Sequence, residues 1–160
     1  MKIISGGQTG VDRAALDVAL SGGLPAGGWC PKGRRAEDGI LPRHYPLEET
    51  QSSAYDERTE QNVRDSAATL IITRGEPSGG TAYTIAMAQK WNRPYTIVDL
   101  DREVSLPDIR EWLCLRHITI LNIAGPREST TPGIYAAAAA LLARLLGPEQ
   151  TGTVEGEPGS

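Results

Sequence analysis

Ser5-Gly6-Gly7-Gln8-Thr9-Gly10 and Ser78-Gly79-Gly80-Thr81 are the two stretches of this chain best suited to hold an oxyanion. Each follows a short apolar run, Lys2-Ile3-Ile4 or Leu70-Ile71-Ile72-Thr73, and each leads into residues with helical apolar spacing. A strand that breaks into glycines before a helix lets the main chain approach a ligand. The helix's unpaired N–H groups and positive dipole end then face that ligand. Gln8, Thr9, Ser78 and Thr81 add side-chain donors at the same places. The candidate ligand contacts are therefore Gly6, Gly7, Gln8, Thr9 and Gly10 in one loop and Gly79, Gly80 and Thr81 in the other. Neither loop ends in the Gly-Lys-Ser/Thr of a Walker motif, which argues against ATP hydrolysis by that route. No acidic residue closes a GxGxxG pattern at the end of the second strand, which argues against a nicotinamide dinucleotide.

Charged groups are the next candidates. Lys32, Arg34 and Arg35, with Glu37 and Asp38 beside them, either bring positive charge to the ligand edge or form a solvated run. Arg58, Asn62 and Asp65 share one helical face, which lines a crevice or faces water. Asp12, Glu37 and Asp65 are candidate general acids or bases if a ligand is buried beside them. Cys30 and Cys114 form no CxxC pair, and His44 and His117 are the only histidines, so no zinc-type spacing exists and no metal site is expected. Both cysteines read as small, buried, reduced residues.

The elements that must position these groups alternate. Strands are expected at 2–5, 25–30, 69–73, 95–100 and 118–124, and helices at about 10–21, 57–67, 80–91, 107–116 and 133–146. Thr59 or Asp56 is the expected cap of the second helix, and Pro107 the first residue of the fourth. Residues 31–56 read as irregular, and so long a stretch is more often functional than decorative. The pattern predicts a three-layer α/β/α domain of Rossmann type over 1–147, with a mainly parallel sheet of five strands or slightly more. The segment 148–160, rich in Gly, Pro, Glu and Thr, reads as a disordered tail. Ligands of such sheets sit at the strands' carboxyl ends, where residues 6–10, 30–38, 74–81 and 125–128 fall.

The 160 residues carry a net charge of −4, so a broad nucleic-acid-binding face is not expected and an anion site must be local. No apolar run approaches the roughly 18 residues of a membrane span, and the chain opens on a strand, so a cytoplasmic protein is expected. The core must be aliphatic, since Phe is absent and the aromatic share is 5%. The alanine-rich helix 133–146 could pair with a second copy or lie on its own sheet, so a homo-oligomer is possible.

Residues 6–17 (GGQTGVDRAALD) and 28–39 (GWCPKGRRAEDG) resemble the molybdenum carrier family. So do Arg58-Thr59, Asn62-Val63, Asp65-Ser66, Gly79-Gly80-Thr81 and Leu121-Asn122-Ile123-Ala124-Gly125-Pro126-Arg127. The resemblance runs from residue 1 to about 147. It implies a Rossmann-like fold of the SLOG superfamily, which includes the lysine-decarboxylase-like "lonely guy" nucleotide hydrolases. It also implies a phosphorylated, nucleotide-like ligand at the strand edge, with the molybdenum cofactor, a pterin bearing a phosphate, or a nucleotide as the bound group. On that reading Lys32, Arg35 and Arg127 add charge to the loops, and Asn122 lies in a family motif. The hydrolases carry Pro-Gly-Gly-x-Gly-Thr-x-x-Glu, whereas Thr84 stands here in place of the glutamate. Three readings stay open: a binding protein or carrier, an N-glycosidic hydrolase, and a ligand sensor.

Overall fold

A computed structural model describes residues 1–148, so the expected tail lies almost wholly outside the described residues. In chain order the elements are β1 (Lys2–Ile4), α1 (Val11–Ser21), β2 (Ala26–Gly27), β3 (Trp29–Cys30), β4 (Arg35–Ala36), β5 (Gly39–Ile40) and β6 (Glu48–Glu49). Then come α2 (Tyr55–Asp65), β7 (Ala68–Thr73), α3 (Gly79–Lys90), β8 (Tyr95–Asp99), α4 (Leu106–Leu115), β9 (Ile120–Ala124) and α5 (Ile134–Leu146). Five strands form one sheet in the order β2-β1-β9-β7-β8, parallel throughout. If β9 and α5 preceded β1, the same order would read 3-2-1-4-5, that of the doubly wound nucleotide-binding sheet. The chain thus has that architecture with one strand–helix unit moved from the front to the end.

The two faces of the sheet differ in chemistry because side chains alternate along each strand. On one face Ile3, Leu70, Ile72, Leu121 and Ile123 pack against α1, α4 and α5 in a dry aliphatic core. The intervening residues Thr69, Ile71, Thr73 and Asn122 are equally buried but face the α2 and α3 side. Buried α3 residues there are Thr81, Thr84 and Ala88. One layer supplies cohesion and the other carries polar groups.

The expected second strand is the main departure. It is not one strand over 25–30 but two: β2 pairs with β1 in the main sheet, while β3 pairs with β6. Gly28 makes the break, with φ of 126° and no room for a Cβ beside Ser5. The 31–56 segment is also less irregular than its composition predicts, because β4 and β5 form a hairpin and β6 a parallel bridge. Arg34 organises it, donating to the carbonyls of Leu41, Pro42, Tyr45 and Leu47 at 2.8–3.2 Å. Helix α2 starts two residues earlier than expected, with Ala54 rather than Asp56 or Thr59 at the cap position. Cys30 is buried as expected, but Cys114 is exposed, since α4 turns it away from the sheet.

Gly28→Ala should lower the unfolding free energy by about 1–3 kcal/mol, because the new Cβ is both strained and overpacked. It would sit 2.4 Å from the Ser5 carbonyl oxygen and 2.9 Å from the Ser5 nitrogen, backbone atoms with little room to yield. Denaturant unfolding reads this, and an unchanged midpoint would refute the close approach.

Candidate functional site

A cavity of about 240 Å³ opens at the carboxyl ends of β1, β9 and β7, where the doubly wound order reverses. Its walls come from both glycine loops (Gly6 and Gln8; Ser78 to Thr81), from α2, and from the turn after β9. The polar face of the sheet continues into it through Thr73 and Asn122, facing Thr84 of α3.

The first loop is closed in part: the amides of Gln8, Thr9 and Val11 have protein acceptors, while those of Gly6, Gly7 and Gly10 have none among the described residues. The Gln8 amide donates to Asp12 at 3.4 Å, the Thr9 amide to the Gln8 side-chain oxygen at 3.0 Å, and the Val11 amide to the Pro126 carbonyl at 3.3 Å. Gly10 lies under that carbonyl, where a Cβ would come within 2.3 Å of the oxygen. Gly7 faces away, its carbonyl accepting from Arg13 at 3.2 Å. From this loop only Gly6 and Gln8 reach the cavity. Gln8 is 5% exposed; its Oε1 accepts from the amides of Thr9 and Glu37, while Nε2 has no partner among the described residues. Because both neighbours of the oxygen are donors, the amide cannot be the other way round.

Beneath the loop Arg58 of α2 is buried, donates to the Gly6 carbonyl at 2.9 Å and lies 3.7 Å from the Asp12 carboxylate. Gly6 has no side chain where one would come within 2.6 Å of the guanidinium. Burial pushes the Asp12 carboxyl above its ordinary value, and the Arg58 charge opposes that shift.

The second loop is open. Ser78 caps α3 with no side-chain bond, and Gly79 and Gly80 have nothing within 4 Å of where a Cβ would stand. Among the described residues the Gly79 and Gly80 amides find no protein acceptor, and α3 has no acidic residue in its first turn. Two unpartnered N–H groups therefore stand at the cavity wall where a helix has its positive end, Gly79 with a φ of 53°.

Residues 3–146 match the circularly permutated YpsA SLOG family. The chain belongs to this family. The strand order explains the word permutated, since β9 and α5 stand last where the doubly wound sheet has its first unit. A crystal structure named as a putative molybdenum carrier protein, from Syntrophus aciditrophicus SB, is 50% identical to this chain, with a TM-score of 0.86. The similarity covers 91% of this chain and 94% of that one. No curated protein matches. Among the described residues no helix is long and apolar enough to cross a membrane, and no three His, Cys, Asp or Glu residues cluster as a cation site.

In this SLOG chain the other sequence candidates divide. Asn122 and Arg127 line the cavity with Asp12, whereas Glu37 and Asp65 do not. Asp65 shares a helical face with Arg58, but seven residues at 1.5 Å rise place it about 10 Å down α2. There it accepts from the Trp29 indole at 2.9 Å and from Arg64 at 2.8 Å, and the Arg64 bond holds its carboxyl below the ordinary range. Glu37 is a clasp. It accepts from the hydroxyls of Thr9 and of Ser129 (2.5 Å) and from the Ser129 amide at 3.2 Å, tying β4–β5 to the turn after β9. Burial works against its charge, but those bonds outweigh it and hold the carboxyl below its ordinary value. Lys32 is exposed and outside the cavity. Arg35 stands outside the lining with its guanidinium 4.7 Å from the Tyr55 ring.

Sequence reasoning missed Tyr55 and Tyr83, which line the cavity on α2 and α3. Tyr55 had no motif to mark it. Tyr83 lies one helical turn beyond Gly79, a spacing that would have placed it at the same opening.

Because Glu37's carboxyl is lowered in the folded chain, its stabilisation is present above the ordinary carboxylate pKa and fades as pH falls through the folded value. Glu37→Gln should therefore melt a few degrees below the parent at neutral pH, with the gap narrowing as pH falls below the ordinary carboxylate range. A gap that persists in acid, or none at neutral pH, would show that the clasp contributes nothing through its charge.

Proposed function

We propose that this cavity binds a phosphorylated, nucleotide-like small molecule whose phosphate rests on the open N-terminus of α3. The observation that carries the reading is the pair of unpartnered amides at Gly79 and Gly80, facing a cavity whose other polar wall is the Arg58–Asp12 pair. The sequence pointed to the amides of both glycine loops; on this reading only the second loop cradles the anion. The first contributes side chains, with the Gln8 Nε2 donor awaiting an acceptor. Asn122, Thr81 and Thr84 offer further hydrogen-bonding groups for the sugar or ring.

The related structure's name brings molybdenum into the reading. The donors here are amides and guanidinium groups, which fit the phosphate of a pterin cofactor, or molybdate itself as an oxyanion. They do not fit a bare cation, for which the described residues offer no ligand cluster. In a carrier role, Gly79 and Gly80 would hold the cofactor's phosphate, and the cofactor would supply the pterin that binds molybdenum. A cytoplasmic setting suits a ligand of this kind.

Asp12 supports a second reading, an N-glycosidic hydrolase. It is the one acid of the three sequence candidates in the cavity, and burial favours its protonated form, as a general acid requires. Thr84 occupies the place of the hydrolases' glutamate, so Asp12 would have to serve instead.

A panel of nucleoside monophosphates and molybdate, followed by thermal shift, tests the first reading. At least one should raise the melting midpoint, and Gly80→Val should abolish the rise. Valine has room at Gly80 and would fill the space that the anion needs. Stabilisation that survives Gly80→Val would place the anion elsewhere. Release of free base, lost on Asp12→Asn, would favour the hydrolase, and stabilisation with no base released would favour the carrier.

A further inference from the structure

Three guanidinium groups gather on one ring at the cavity mouth. Arg35, Arg58 and Arg127, from three separate segments, stand 4.7, 5.2 and 5.4 Å from the centre of the Tyr55 ring. Like charges this close repel, and Arg127 does work against the charge of Arg58. Their compensation is unequal. Arg58 is satisfied by Asp12 and the Gly6 carbonyl. Arg127 has Glu37 at 3.8 Å, but the Glu37 oxygens already take hydrogen bonds from Thr9 and Ser129. Among the described residues Arg35 has one bond, to the Ser53 carbonyl at 3.2 Å. In a chain of net charge −4, two cations held in place by an aromatic ring with so little counter-charge form a local positive focus.

This focus is not the α3 opening. Arg58 reaches the end of β1 and Arg127 follows β9, whereas α3 follows β7, and the sheet order there is β1-β9-β7. Strands lie about 4.8 Å apart, so the two positive sites stand roughly 5–10 Å apart along one edge. A single phosphate hydrogen-bonded on both sides bridges donors only at the shorter end of that range, and two phosphoryl groups cover the whole of it.

Resting on the α3 reading above, we propose that the Arg35–Tyr55–Arg127 cluster is a second anion subsite and that the ligand carries two phosphoryl groups. One sits on the Gly79 and Gly80 amides and the other between Arg35 and Arg127, within reach of Arg58. Tyr55 is then a positioning residue: its ring holds the guanidiniums in place instead of stacking on a base. The two groups belong to one ligand, separated either by further phosphate or by a sugar.

The test uses base-free probes, so the identity of the base does not enter. Binding of inorganic phosphate, tripolyphosphate and ribose 1,5-bisphosphate is measured by calorimetry on the full chain. At least one two-ended probe should bind 10-fold or more tighter than phosphate. Tripolyphosphate would indicate a phosphate chain, the bisphosphate a sugar spacer. Arg35→Gln and Arg127→Gln should each cut that ratio severalfold, while Arg116→Gln, on an exposed cation just after α4, should leave it as it is. Melting midpoints of the free variants report whether they fold, and Tyr55→Leu should lower the same ratio with both cations still present. No preference for the two-ended probes, or an equal loss in Arg116→Gln, would overturn the proposal. If nucleoside monophosphates still stabilise the chain in that case, the α3 reading stands alone; if they do not, both fall.

Discussion

The Arg58 guanidinium, buried against the Gly6 carbonyl and the Asp12 carboxylate, is the interaction on which the rest of the site depends. A buried ion pair adds little net stability, because desolvating both charges costs about what their attraction returns. Its effect is on geometry. Removing either partner leaves a buried charge without its counter-ion, which ties α2 to the β1–α1 turn. With α2 fixed, Tyr55 at its start is fixed too, and so is the ring on which the other two guanidiniums rest.

The same pair explains why two similar glycine loops differ in state. Asp12 takes the Gln8 amide and Pro126 takes the Val11 amide, so the helix-facing part of the first loop is already engaged by protein groups. At the second loop no side chain caps α3, and the opening stays available. The sheet shows a matching division. The α1, α4 and α5 face is aliphatic and holds the layers together, while threonines and Asn122 on the other face lead into the cavity. A polar interior layer adds less burial energy than an apolar one, and here it lies where a ligand can satisfy it.

Much of this was legible in the sequence because it is local. Strand-to-glycine-to-helix transitions at Ile4 and Thr73 follow from residue types within a few positions, and the parallel sheet follows from their alternation. Convergence of the two loops on one cavity follows from the topology. What could not be read depends on distant partners. The Pro126 carbonyl that closes the first loop lies more than a hundred positions away from it. Gly28 breaks a strand because Ser5 passes beneath it. Arg34, one of a basic trio with no spacing to single it out, spends its guanidinium on four carbonyls of its own segment. Arg58 and Asp65 share a helical face, yet only the one nearer the strands' carboxyl ends reaches the cavity.

The claim that the Thr9 and Val11 amides are engaged by the protein while those of Gly79 and Gly80 are open is tested most directly by amide chemical shifts, followed while a stabilising nucleoside monophosphate is titrated into labelled protein. The account predicts the largest movements at the Gly79 and Gly80 amides, with those of Thr9 and Val11 little changed. Largest movements at Thr9 and Val11, with Gly79 and Gly80 still, would contradict it.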